Sequence, residues 1–183
     1  MKVVSLVGMA GSGKSEAARI FEESGFIRIR FGDITDEEVK KRGLELNEQN
    51  ERVVREELRE KYGMAAYAKL NFAKIDLTLK QSDVVIDGLY SWEEYTFLKT
   101  HCGEQFYIVA VYASPKTRYS RLTGRLERGL TVTEAAMRDK AEVENINKGG
   151  PIAMADFTII NEVPLNDLKK EVKKVISRLR EEY

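Results

Sequence analysis

Cysteine and histidine occur once each in this 183-residue chain, as Cys102 and His101, and proline only three times. A lone cysteine excludes an internal disulfide framework, and one residue of each kind excludes a Cys/His metal cluster, so a reducing compartment is the expectation. Neither residue has the second group that nucleophilic chemistry requires. Cys102 follows the helical pattern Trp92–Lys99 and reads as structural, with His101 a helix-end residue. An excess of one charge is also missing, since 30 Lys and Arg stand against 30 Asp and Glu. Without a bulk positive field the chain offers nothing general to nucleic acid, and any polyanion must be held locally. No apolar run approaches the roughly 18 residues of a membrane span, and no charged leader precedes the first apolar run. The expectation is a soluble, cytoplasmic protein, monomer or homodimer, with no nucleic-acid and no membrane partner.

What is present is enough for one domain with a full core. Four apolar, β-branched runs, Val3–Val7, Asp83–Ile86, Phe106–Tyr112 and Phe157–Ile160, alternate with long helical stretches, and a shorter fifth, Phe26–Phe31, follows the first helix. Near-continuous apolarity means that both faces of the strands are covered, which predicts an α/β three-layer domain around a parallel sheet. Residues 34–82 have high helix propensity and no strand signal, and so predict two or three helices inserted between strands. Leu165, Leu168, Val172, Val175, Ile176 and Leu179 lie on one stripe of a final amphipathic helix. Thr131 and Glu134 spell a capping box for another.

Directly behind the first run stands Gly8-Met9-Ala10-Gly11-Ser12-Gly13-Lys14-Ser15, a G-x-x-x-x-G-K-S sequence that leads into the helical Ala17-Ala18-Arg19-Ile20-Phe21. Glycines let consecutive amides curl into an anion nest, and the helix that follows adds its positive N-terminal dipole. Strand, loop and helix together predict a nucleoside triphosphate site, with Lys14 on the β- and γ-phosphates and the Ser15 hydroxyl on Mg²⁺. Val84-Val85-Ile86-Asp87-Gly88 ends a strand with a carboxylate where ligands collect on a parallel sheet. Asp87 is therefore the candidate acid on the metal side.

Arg118, Arg121, Arg125 and Arg128 recur at steps of three, four and three, and on a helix they would project from one face. Such a row wants an anion, or else forms a basic surface stripe beside acids such as Glu127 and Glu134. Arg138 is a further candidate for the same cleft. Asp33, after Phe31-Gly32, either orients or deprotonates an acceptor or caps the helix that begins near Ile34. Arg42 and Arg59 are the basic residues of the insertion to be suspected of holding an acceptor phosphate.

These motifs resemble, over the whole chain, the P-loop small-molecule kinases that include nucleoside monophosphate kinases and dephospho-CoA kinases, and most of all an archaeal adenylate-kinase-like branch. Gly8–Ser15 matches the ATP loop, Gly32-Asp33 the start of the acceptor-binding helices, Asp87-Gly88 the Asp-Gly after the third strand, and Arg118–Arg128 the lid. Ala155–Asn161 matches the last strand, whose following loop lies near the nucleotide base, which makes Asn161 a candidate nucleotide contact. The resemblance implies a five-stranded parallel sheet of order 2-3-1-4-5, a mobile lid over 118–130, and a mobile acceptor-binding insertion over 34–82. It also implies ATP and Mg²⁺ as cofactors, a small-molecule phosphate acceptor, and Lys14, Asp33, Arg121, Arg125 and Arg128 as catalytic residues. Gly8 through Ser15 with Arg118 would complete the nucleotide site. One departure is plain. Adenylate kinases follow Asp-Gly with Phe-Pro-Arg, whereas this chain has Leu89-Tyr90-Ser91, which argues against AMP as the acceptor. Two other classes remain, a slow nucleotide switch and a nucleotide-binding scaffold. Asn147-Lys148-Gly149-Gly150 lacks the final Asp of a guanine-reading Asn-Lys-x-Asp, which counts against the switch.

Overall fold

Period-two burial organises the centre of the molecule. In β1 (Val3–Val7) the side chains of Val4 and Leu6 join one apolar cluster, while Val3 and Val7 join another. The computed structural model describes residues 1–126, 129–162 and 164–181. Around β1 stand β2 (Ile27–Arg30), β3 (Val84–Asp87), β4 (Phe106–Tyr112) and β5 (Phe157–Ile160), all parallel, in the order β2-β3-β1-β4-β5. This is the sheet order implied by the resemblance. On one face α1 (Lys14–Glu23) packs with α9 (Leu165–Glu181), which buries Leu168, Val172, Val175, Ile176 and Leu179. On the other face lie α4 (Ala66–Leu79) and α5 (Trp92–Cys102).

The insertion is three helices: α2 (Asp33–Lys41), α3 (Glu48–Tyr62) and α4. Asn47 caps α3 by accepting from the Asn50 amide at 3.0 Å. Beyond β4 run α6 (Pro115–Thr123), α7 (Val132–Glu144) and α8 (Gly149–Ala153). The Thr131 capping box forms as the sequence spells it, with the Thr131 hydroxyl accepting from the Glu134 amide at 3.2 Å. A second box, Ser91 with Glu94, starts α5. Cys102 is the last residue of α5, and His101 stacks on Phe97 in its final turn.

Register fixes the working edge. Leu6 pairs with Asp87 and Arg30 pairs with Asp87, so the β3 carboxylate lies where β1 gives way to Gly8 and β2 to Asp33. No helix of the described residues is long and apolar enough to cross a membrane. Because Leu6 is fully buried on the central strand, Leu6→Ala is expected to lower unfolding stability by about 2–5 kcal/mol. Lys173→Ala on the solvent face of α9 should stay within about 0.5 kcal/mol, both read from urea midpoints at unchanged m-value.

Candidate functional site

The loop between β1 and α1 is held from three sides. Gly8 sits at φ 142°, and a Cβ there would stand 2.3 Å from the Val111 carbonyl oxygen on the neighbouring strand. Gly13, at φ 103°, would bring its Cβ within 2.3 Å of the Asn161 amide nitrogen. Asn161 lies just past β5, donates from Nδ2 to the Ser12 carbonyl at 2.8 Å, and receives Arg121 Nη2 on its own carbonyl at 2.9 Å. The last strand therefore does reach the loop, through Asn161. At the helix end of the loop the first-turn amides of α1 have no intrahelical carbonyl to serve, which leaves them to an anion.

Lys14 folds back over this loop, donating to the carbonyls of Gly8 at 2.8 Å and Met9 at 3.0 Å. Burial and the neighbouring Lys148 push its ammonium down to about 7, against the opposing pull of Glu142 and Asp87. Asp87 is 4% exposed, with Oδ2 held by Arg28 and no hydrogen bond on Oδ1 among the described residues. A hydroxyl and a carboxylate beside a phosphate loop are the hard oxygen donors that suit Mg²⁺, so Ser15 and Asp87 fit the ion. Four buried donors near the cleft, Ser12 Oγ, Arg28 Nε, Arg59 Nε and Arg121 Nη1, have no hydrogen-bond partner among the described residues, as a site built for an anion would leave them.

The arginine row does not share one helical face. Gly124 ends α6 at Thr123, so Arg118 and Arg121 are helical while Arg125 lies beyond the helix. Arg128, with Glu127, lies outside the described residues. Arg118 is buried and grips Asp139 bidentately at 2.9 and 2.6 Å, with Nη1 also donating to the Ala10 carbonyl at 3.2 Å. It thus meets the phosphate loop through a carbonyl rather than with an unengaged guanidinium. Asp33 does not cap α2, because the helix begins at Asp33 itself with Gly32 as N-cap. Its Oδ1 accepts from Arg30 at 2.7 Å, and Arg30 also reaches Asp36 at 2.8 Å. Arg42 turns to Glu38 and Glu57 at 2.9 and 2.6 Å on an exposed surface, whereas Arg59 lies over the Tyr67 ring at 5.3 Å.

Four contributors escaped the sequence. Lys148 is 1% exposed and pairs with Glu142 at 2.7 Å, and Glu142 also meets Arg138 at 3.3 Å. Burial opposes ionisation of Glu142, yet Lys148, Arg138 and Lys14 hold it down at about 2. Glu94 is fully buried, with burial pushing its carboxyl up to about 7 while Oε2 accepts from the Tyr90 amide at 2.8 Å. Arg28 completes the set beside Asp87. The Ser91-x-x-Glu94 spacing and the alternating Ile27-Arg28-Ile29-Arg30 were usable signals. Nothing local marks Lys148 or Glu142.

A five-stranded parallel sheet with a phosphate loop at its carboxyl edge is a P-loop kinase fold. The structure is similar to a gluconokinase from Sinorhizobium meliloti 1021, with TM-score 0.63, 16% identity, and coverage of 97% of this chain and 93% of that one. It is also similar to a shikimate kinase from Acinetobacter baumannii, solved with shikimate, with TM-score 0.60, 17% identity, and coverage of 100% and 96%. A family model described as an AAA domain matches residues 4–147. In sequence the chain is 40% identical to the UPF0200 protein TK1334 of Thermococcus kodakarensis over 97% of both chains, and 34% identical to a UPF0200 protein of Methanosarcina mazei over 99% and 97%. The chain belongs to the UPF0200 family, an archaeal group within the AAA-domain P-loop proteins.

Removing Arg118 strands the partly buried Asp139 carboxylate. Arg118→Ala is expected to cost about 3–5 kcal/mol in chemical unfolding, and Arg118→Met with Asp139→Leu distinctly less, because the double change leaves no buried charge without its partner.

Proposed function

We propose that the chain is an ATP-dependent kinase that transfers the γ-phosphoryl group to a nucleotide or nucleotide-like acceptor in the cytoplasm. The observation that carries this reading is a glycine-clamped phosphate loop at the carboxyl edge of the sheet, with Lys14 folded over it and Asp87 in register beside it. Gly8 through Ser15 would cradle the triphosphate, and Asn161, which holds the Ser12 carbonyl, would stand beside it. Mg²⁺, held by Ser15 and Asp87, would neutralise charge on the β- and γ-phosphoryl oxygens. Arg121, with one buried nitrogen lacking a partner among the described residues, would add positive charge, and Arg125 and Arg128 follow it in the chain as the remaining lid candidates.

In the transfer a bond forms between the acceptor oxygen and Pγ, and the bridging Pγ–O bond breaks, its electron pair leaving with ADP. If the acceptor is a hydroxyl, its proton goes to Asp33, whose Oδ1 is oriented by Arg30; an anionic phosphate acceptor needs no base. The departure at Leu89-Tyr90-Ser91 favours an acceptor other than AMP. Arg59, whose buried Nε has no hydrogen-bond partner among the described residues, is the insertion's better candidate for an acceptor anion than Arg42.

The alternative, a nucleotide-binding scaffold or slow NTPase, draws its support from Arg28, which already occupies one oxygen of Asp87. ADP release measured across AMP, CMP, UMP and dephospho-CoA separates the two, since a scaffold yields none that depends on the acceptor. With the productive acceptor in hand, Asp33→Asn should lower kcat by about 10²-fold or more at unchanged ATP affinity if a hydroxyl is phosphorylated. Unchanged kcat removes Asp33 from proton transfer.

The Lys14 ammonium, near 7 when the loop is empty, must be charged to bind phosphate. Mg·ATP binding is therefore expected to take up a proton between about pH 7 and 9, and affinity should fall by up to about tenfold per unit as pH rises above 7. Below 7 the dependence flattens, because the lysine is already protonated. Calorimetry in buffers of different ionisation enthalpy reads the uptake, which Lys14→Met should abolish.

A further inference from the structure

The loop between α7 and α8 carries an over-determined backbone whose purpose the fold does not explain. Asn147 adopts φ 50°, a left-handed conformation that is uncommon for a residue with a side chain. The Lys148 amide turns back to the Glu142 carbonyl at 3.2 Å. Gly150 then packs so closely on Trp92 that a Cβ would stand 2.6 Å from Cε3 of the indole. Together these contacts aim Lys148 inward. Its Nζ lies 2.7 Å from Glu142 Oε2 and 5.4 Å from the centroid of the Tyr90 ring.

Tyr90 locates that ammonium in the cleft. It follows Asp87 and Gly88 at the end of β3, and its hydroxyl would be 2.8 Å from a Cβ on Gly88 and 3.3 Å from one on Gly32. The Tyr90 hydroxyl therefore lies beside both Gly88 and Gly32, at the adjoining ends of β3 and β2. A cation over this ring lies near the strand ends that carry Asp87 and Asp33.

Burying a lysine costs several kcal/mol unless its charge is used, and an apolar side chain of the same volume would hold this turn at least as well. The balance of charge around it points to an anionic ligand. Glu142 is shared by Lys148 and Arg138, while Asp87 is engaged by Arg28. Arg138 reaches Glu48 as well, at 2.9 Å, so the ammonium without a carboxylate partner among the described residues is that of Lys14, which donates to the carbonyls of Gly8 and Met9.

We propose that Lys148 is a catalytic residue of this site, a second ammonium that faces Lys14 across the phosphoryl group in transit and releases part of its hold on Glu142 to bind an oxygen of that group. The proposal rests on the phosphotransfer reading. Lys148 forms and breaks no covalent bond; it stabilises charge on the equatorial oxygens, with Glu142 as its positioning residue.

Calorimetry on the full chain tests it with Mg·ADP alone and Mg·ADP with aluminium fluoride, whose tetrafluoroaluminate stands in for the moving phosphoryl group. The wild type should bind Mg·ADP about tenfold or more tightly once aluminium fluoride is added. Lys148→Met combined with Glu142→Gln removes both buried charges, so folding is spared the unpaired carboxylate that Lys148→Met alone would leave. The double variant should lose most of the aluminium fluoride gain while its affinity for Mg·ADP alone stays within about threefold, and Lys148→Arg should restore part of the gain. A double variant that keeps the full gain overturns the role of Lys148 while leaving the kinase reading intact. A wild type that binds no Mg·ADP, or gains nothing from aluminium fluoride, sinks the phosphotransfer reading and this inference with it.

Discussion

Close approach of main chain to main chain at the carboxyl edge of the sheet is the constraint from which the rest follows. Gly8, Gly11 and Gly13 lie against the Val111 carbonyl, the Arg118 carbonyl and the Asn161 amide, each too near for a side chain. The loop is thus clamped between β4, α6 and the end of β5. Preorganised donors of this kind need no rearrangement when an anion arrives, which is the physical basis of phosphate affinity in such loops. Every other group in the cleft is positioned relative to that clamp. Asp87 reaches it through register with Leu6, and Arg118 through the Ala10 carbonyl.

Much of the framework was legible because it is governed by local pattern. The apolar run at 3–7, the stripe on α9 and the Thr131-Glu134 box each depend on residues a few positions apart, and each formed as spelled. The phosphate loop was equally plain, since glycine spacing and the flanking elements define it together. The arginine row misled because its steps match a helix while Gly124 within it ends one. That glycine was visible in the sequence and outweighs the periodicity of the charges. Asp33 left two roles open, and only that of helix cap is removed. A carboxylate at a helix start ordinarily caps, but Arg30 on the preceding strand competes for it at 2.7 Å.

The buried charge cluster was illegible for a deeper reason. Glu142 and Lys148 are six residues apart across a helix end, a spacing that signals no contact, and both look like solvated charges in a chain that is one-third charged. Their burial depends on α7 packing against α6 and on the turn at Asn147. Arg28 became a partner of Asp87 only through strand pairing between segments 59 residues apart. Framework follows from sequence neighbours, whereas electrostatics at the cleft follows from which distant segments the topology brings together.

The contact between Arg138 on α7 and Glu48 at the start of α3, 2.9 Å long and about one-third exposed on the Glu48 side, joins the two walls of the cleft. A partly solvated ion pair of this kind holds with no more than about 1 kcal/mol and weakens as ionic strength rises. It behaves as a clasp with a light spring. The salinity of the surrounding medium therefore sets how firmly α7 and α3 are tied to one another, within that small amount.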